Sequence, residues 1–159
     1  MTRAFRALSQ TILCIDDDEA ILRYEKALLE TVGFAVLKAA SAEQGLRLVT
    51  MCECDAVLLD YDMPGMNGHE VALQIKRMRP DLIVIFVSSE EIPMHSLALV
   101  DAFVPKLEAS RQLLPMIAEL CSRSQDAQQK RGELRRQHRS TIDSPSRQMS
   151  TQDEEQELR

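Results

Sequence analysis

Four short segments place carboxylates, hydroxyls and an ammonium group directly after runs of apolar residues. Asp16, Asp17 and Asp18 follow Ile12-Leu13-Cys14-Ile15, and Asp60 and Asp62 come after Ala56-Val57-Leu58-Leu59. Ser88 and Ser89 follow Leu82-Ile83-Val84-Ile85-Phe86-Val87, and Lys106 follows Ala102-Phe103-Val104-Pro105. Carboxylates brought together repel one another unless a cation neutralises them. Hard oxygen donors suit Mg²⁺, which keeps waters that a phosphate can replace. With that charge balanced, one carboxylate can act as a nucleophile towards phosphorus. The three peripheral oxygens of the resulting acyl phosphate then need partners: the cation, a lysine ammonium, and a hydroxyl with backbone amides. Those residue types are the ones present.

For such groups to meet, the apolar runs must be neighbouring strands that point the same way. Short apolar runs bounded by polar breaks and separated by helical patterns predict buried parallel strands. Residues just past the ends of those strands share one edge of the sheet, where ligands bind in open α/β folds. The chain reads as five strand–helix pairs, an α/β fold with a doubly wound (βα)5 sheet of five parallel strands. In the order 2-1-3-4-5 the first and third strands are adjacent at the switch point, setting Asp16, Asp17 and Asp60 side by side.

The strands are expected over residues 11–16, 34–38, 55–60, 82–87 and 102–105. A first helix over 19–31 puts Ile21, Leu22, Leu28 and Leu29 on one face and stops at Gly33. A second is capped by Ser41, with Gln44 in capping-box spacing, and carries Leu46, Val49 and Met51 inward. A third, 69–78, follows the turn Met63-Pro64-Gly65-Met66-Asn67-Gly68 and buries Val71, Leu73 and Ile75 before Pro80. A short, poorly patterned helix lies around 94–100. The last, 110–121, turns Leu113, Leu114, Ile117 and Leu120 inward, and Pro115 within it predicts a late start or a distorted first turn.

The 159 residues, 45% of them hydrophobic, suffice for one ordinary domain with a tail. No apolar run has the length of a membrane span, and the basic start Met1-Thr2-Arg3 lacks a secretory pattern, so a cytoplasmic protein is expected. Cys14, Cys52, Cys54 and Cys121 are expected as four reduced thiols, because the spacing of Cys52 and Cys54 suits neither a disulfide nor a zinc knuckle. Residues 1–121 hold 11 Lys/Arg against 18 Asp/Glu, a charge of −7, which argues against unspecific nucleic-acid binding. Residues 122–159 hold 8 against 7, a charge of +1, and are nearly devoid of apolar positions. The organisation is thus an extension over 1–10, a domain over 11–121 and a polar tail over 122–159. That tail is expected to prolong the last helix to about residue 137 and to be disordered beyond. Its basic stretch around Lys130, Arg131, Arg135, Arg136 and Arg139 lacks aromatics and reads as a solvated helix rather than a DNA-binding patch.

Over residues 10–121 the chain resembles the receiver domain of two-component response regulators, of the stand-alone type. The likeness rests on Leu13-Cys14-Ile15-Asp16-Asp17-Asp18, on Val57-Leu58-Leu59-Asp60-Tyr61-Asp62-Met63-Pro64-Gly65-Met66-Asn67-Gly68, on Val87-Ser88-Ser89 and on Phe103-Val104-Pro105-Lys106. The resemblance implies that Asp60 is the phosphoacceptor and that Asp16 and Asp17 form the acidic pocket. Asp17 would be the more direct Mg²⁺ ligand and the backbone carbonyl of Asp62 a further one. It implies that Lys106 pairs with the phosphoryl group, that Ser88 is the switch hydroxyl, and that Phe103 holds the aromatic switch position. The implied activity is phosphoryl transfer from a histidine kinase, self-catalysed, followed by autodephosphorylation. Output would be a phosphorylation-dependent contact with an effector, or transfer to a histidine phosphotransferase protein.

Several features depart from the family pattern. Pro105 precedes Lys106, where the usual order is Lys-Pro. Ser88 and Lys106 stand 18 positions apart, a few short of the usual spacing, which predicts a trimmed fourth helix. Asp62 and Glu90 occupy positions beside the site where the family varies and tunes dephosphorylation. Two alternatives compete: a pseudo-receiver that binds partners without being phosphorylated, and a haloacid-dehalogenase-like phosphatase using Asp60 and Asp62. Against the second, that pair belongs on a first strand and is followed by Thr or Val. Taken singly, Asp16–Asp18 could be helix N-terminal charge, Lys106 a surface lysine and Phe103 plain core. His69 reads as a solvated neighbour of a helix cap, and His95 and His138 have no ligands clustered around them in the sequence.

Overall fold

The computed structural model describes residues 10–142; the expected N-terminal extension and the outer part of the tail lie outside the described residues. Five strands, β1 (Thr11–Ile15), β2 (Ala35–Ala39), β3 (Ala56–Asp60), β4 (Ile83–Ser88) and β5 (Ala102–Pro105), form one sheet in the order β2-β1-β3-β4-β5. All neighbouring pairs are parallel, with Ile15 opposite Leu59, Asp60 opposite Val87 and Ser88 opposite Pro105. That register brings the chemically interesting strand ends level. Pro105 is tolerated because β5 is an edge strand, where a missing N–H leaves no ladder bond unmade.

Strand alternation divides the core into two layers. Leu13, Ile15, Val57, Leu59, Val84 and Phe86 pack towards helices α2 (Ala42–Met51) and α3 (Gly68–Met78). Ile12, Cys14, Leu58, Ile85, Val87 and Val104 pack towards α1 (Glu19–Glu30) and α5 (Ala109–Ile142). Each fully buried Leu or Ile contributes about 1.5–3 kcal/mol relative to exposure, so both layers are needed. The phase continues past the strand ends: Asp16 is in step with Ile12 and Cys14, Asp60 with Leu58, and Lys106 with Val104.

Helices α1, α2 and α3 begin where the sequence supplies caps. Asp18 accepts from the Ala20 amide, Ser41 from that of Gln44 and Asn67 from that of Glu70. The inner face of α2 is Ala42, Gly45 and Val49, whereas Met51 is exposed: it falls at the end of the helix, where the stripe has rotated off the sheet. Helix α4 is trimmed to one turn, Met94–Leu97. A 3₁₀ turn over Lys106–Glu108 leads directly into α5, which starts at Ala109 and runs through Pro115 instead of starting after it. Pro115 and Arg111 are both on the solvent side, so water can satisfy the Arg111 carbonyl that the proline leaves without a donor. The helix reaches Ile142, past residue 137; the chain divides into two compact units between Ser124 and Gln125. Beyond Ser124 its described residues are exposed and nearly all polar.

One glycine is a steric necessity. A Cβ at Gly68 would lie 2.6 Å from Tyr61 Cα and 2.9 Å from the Asp60 carbonyl oxygen, both backbone atoms, and the Gly68 amide donates to the Tyr61 carbonyl at 2.7 Å. Gly68→Ala is expected to destabilise the fold by about 2–3 kcal/mol in urea denaturation, since α3 must retreat from the β3 exit.

Candidate functional site

Three of the strand ends place charged groups together. Asp16 leaves β1 with 1% exposure and Asp60 ends β3 with 4%. Asp17 stands beside them, exposed, and carboxylate oxygens of all three lie within 4.8 Å of one another. Lys106, just past β5, brings its ammonium 3.0 Å from Asp16 Oδ2 and 3.3 Å from Asp60 Oδ1. The inverted Pro105-Lys106 order therefore does not turn the ammonium away. Asp18 is separate: its side chain caps α1, and its amide donates to Asp16 Oδ1 at 2.9 Å.

The electrostatics follow from burial and proximity. Burial, then the neighbouring Asp16 carboxylate, pushes the Asp60 carboxyl up to about 6, against the opposing pull of Lys106 and the Asp62 amide. Burial alone would lower the Lys106 ammonium, but the Asp16 and Asp60 carboxylates outweigh it and raise it. Asp16 Oδ2 is buried without a hydrogen bond of good geometry; Lys106 answers it only as an ion pair. Three carboxylates around one ammonium, with a buried oxygen still unsatisfied, fit a hard divalent cation with oxygen ligands.

The remaining expected residues lie around this centre. Ser88 is buried, with its Oγ accepting from the Glu90 amide at 3.1 Å, and the Glu90 side chain is exposed. Asp62 is exposed next to the site. Phe103 is partly buried, packed against the core layer under α2 and α3. Nothing else on the α4 segment was anticipated, yet Ser96 there is fully buried and holds both Tyr61 and His69, so His69 is not a solvated cap neighbour.

Glu25 was also missed. It is 3% exposed, beneath the site on the inner face of α1, and its Oε2 has no hydrogen-bond partner. The signal was present: Glu25 is three residues after Leu22 and four before Leu29, inside the apolar stripe. Burial first, then Asp16, pushes its carboxyl up to about 8, while the Cys14 thiol donates to it. Burial and then Glu25 hold that thiol well above its ordinary range. All four cysteines are free, and Cys14, Cys54 and Cys121 are buried.

Residues 12–118 match the family described as the response regulator receiver domain. Among curated proteins, response regulator MprA of Mycolicibacterium vanbaalenii is 30% identical over 117 residues, 71% of this chain and 51% of that protein. Response regulator protein TodT of Pseudomonas putida is 33% identical over 87 residues, 54% of this chain and 38% of that one. The chain thus spans about half or less of the length of these relatives. Among solved structures, a CheY-like receiver domain from Methanospirillum hungatei superposes with a TM-score of 0.70 at 29% identity, covering 74% of this chain and 98% of that one. TrrA of Thermotoga maritima, solved in complex with Mg²⁺ and BeF, gives 0.67 at 27% identity over 70% and 98%. A second TrrA structure, in complex with the histidine kinase ThkA, gives 0.66 at 27% identity over 70% and 97%.

The buried Glu25 carboxyl makes stability depend on pH. Its folded value of about 8 exceeds the ordinary 4.5, so the folded state holds a proton that the unfolded state gives up. Stability should fall as pH rises from about 5 to 8, by a few kcal/mol in total. Chemical denaturation across that range should show the slope in the native protein and a markedly flatter one in Glu25→Gln.

Proposed function

The chain belongs to the response regulator receiver domain family, and on that premise we propose that it takes a phosphoryl group from a histidine kinase onto Asp60. The observation that carries this reading is the Lys106 ammonium held between Asp60 and Asp16 at 3.3 and 3.0 Å. An ammonium there can follow negative charge from the carboxylates to an incoming phosphoryl oxygen. Asp60 Oδ attacks phosphorus, the bond from phosphorus to the kinase histidine nitrogen breaks, and an acyl phosphate results. Water later cleaves the acyl phosphate to inorganic phosphate and the free carboxylate. Catalysis is confined to this self-modification and its reversal.

Asp17 and Asp60 would hold Mg²⁺ with the Asp62 backbone carbonyl, and Asp16 would complete the pocket. When bound, the ion screens the carboxylates and draws charge from the phosphoryl oxygens. The TrrA structure with Mg²⁺ and BeF supports this assignment by likeness, and the ThkA complex supports a kinase partner. Ser88 would release the Glu90 amide and donate its hydroxyl to the phosphoryl group, with Phe103 following on β5. Asp62 and Glu90, exposed beside the site, would set the dephosphorylation rate. Output would pass to an effector or a histidine phosphotransferase protein in the cytoplasm. No helix among the described residues is long and apolar enough to cross a membrane. The reach of Lys106 favours phosphorylation over the unmodified scaffold.

Incubation with acetyl phosphate and Mg²⁺ should add one hydroxylamine-labile phosphate per chain, visible by mass spectrometry; Asp60→Asn should abolish it and Lys106→Ala should slow it by about 10²-fold. No addition to the native protein would end the proposal. Asp62→Asn should change the half-life of the phosphorylated form, and an unaltered decay would remove Asp62 from the tuning role.

A further inference from the structure

A second polar constellation stands outside the acidic pocket, where α3 meets α4. Tyr61, the residue after Asp60, sets its ring edge-on to Phe86, with centroids 5.4 Å apart. Its hydroxyl lies 3.2 Å from Ser96 Oγ, and Ser96 has 0% exposure. The same Oγ lies 2.9 Å from His69 Nδ1, in the first turn of α3. The His69 ring is 5.1 Å, centroid to centroid, from that of His95 on α4, at 63°. His69 is partly buried and His95 is exposed.

We propose that His69 and His95 form a two-imidazole site for a divalent transition-metal ion of the zinc class, joining the first turn of α3 to α4. Zinc bound at about 2.1 Å from an imidazole nitrogen lies roughly 3.2 Å from the ring centroid, and two such rings at a tetrahedral angle are about 5 Å apart. The observed separation of 5.1 Å has that value. Metal-binding histidines ordinarily donate their second ring N–H to a fixed acceptor, which sets the tautomer and aims the lone pair. Ser96 Oγ is placed to do this for His69: in the tautomer whose Nδ1–H donates to it, Nε2 carries the free lone pair. Ser96 is fixed in turn by its burial and by Tyr61.

The ligand type separates this site from the acidic pocket. Imidazoles select zinc, copper and nickel, whereas carboxylates, carbonyls and waters suit magnesium. Among the described residues, the sole cluster of three or more possible protein ligands is the acidic one, so water completes the coordination at the histidine pair and the ion exchanges. Bound there, the ion would fasten the single turn of α4 to the first turn of α3, beside the Ser96 hydroxyl that Tyr61 also contacts.

The site is tested by titrating Zn²⁺ calorimetrically into the full chain carrying Asp17→Asn, with excess Mg²⁺ present, so that uptake at the carboxylates is suppressed. One Zn²⁺ per chain is expected, with affinity reduced at least tenfold in His95→Ala and in His69→Ala. Ser96→Ala, checked for folding by circular dichroism, should weaken binding by about 10–100-fold. Paramagnetic resonance of the Cu²⁺-loaded protein should show two coupled imidazole nitrogens. Unchanged affinity in His95→Ala, a single coupled nitrogen, or no Zn²⁺ uptake would overturn the site and leave the two rings as an aromatic contact. None of these outcomes bears on phosphorylation of Asp60, which the acetyl phosphate assay reads separately.

Discussion

A single lysine ammonium offsets the repulsion between two carboxylates that the sheet forces together. Asp16 and Asp60 are almost fully buried at the ends of adjacent strands, and the strand register leaves them no freedom to separate. Without a nearby cation, the pair would be paid for in repulsion and desolvation. Lys106 supplies that cation from the edge strand, and the elements from β4 onward deliver it to the same height. The arrangement is incompletely compensated: Asp60 holds its proton up to about 6, and one Asp16 oxygen has no hydrogen bond. A site left short of positive charge is disposed to take up a cation.

The fold was legible because its signals are redundant. Each buried strand is a short apolar run, α2 is capped by Ser41 as expected, and the parallel βα alternation limits the possible topologies. The acids and the lysine were legible for the same reason: they end strands, and strand ends in a parallel sheet converge. Even the trimmed α4 followed from counting residues between Ser88 and Lys106.

What escaped the sequence has physical causes. Met51 belongs to the helical stripe by spacing, but a stripe near a helix end faces past the sheet, and only packing shows where it leaves the core. Pro115 looked incompatible with a helix already under way. The orphaned carbonyl belongs to Arg111 on the solvent side, so the helix continues at small cost. Glu25 sat within an apolar stripe and was passed over because acids are rarely buried unpaired. The His69–Ser96–Tyr61 chain unites residues up to 35 positions apart, at a place where no motif connects them.

Helix α4, only four residues long, is closed by little more than the bonds from Leu97 to Pro93 and from Ala98 to Met94. A nucleus so short gains nothing from cooperative propagation, and its shape is set by what its side chains touch. Its anchors are Leu97, packed against the core layer under α2 and α3, and Ser96, bonded to Tyr61 just after Asp60. Rearranging this turn would therefore require giving up a handful of contacts, not unwinding a rod.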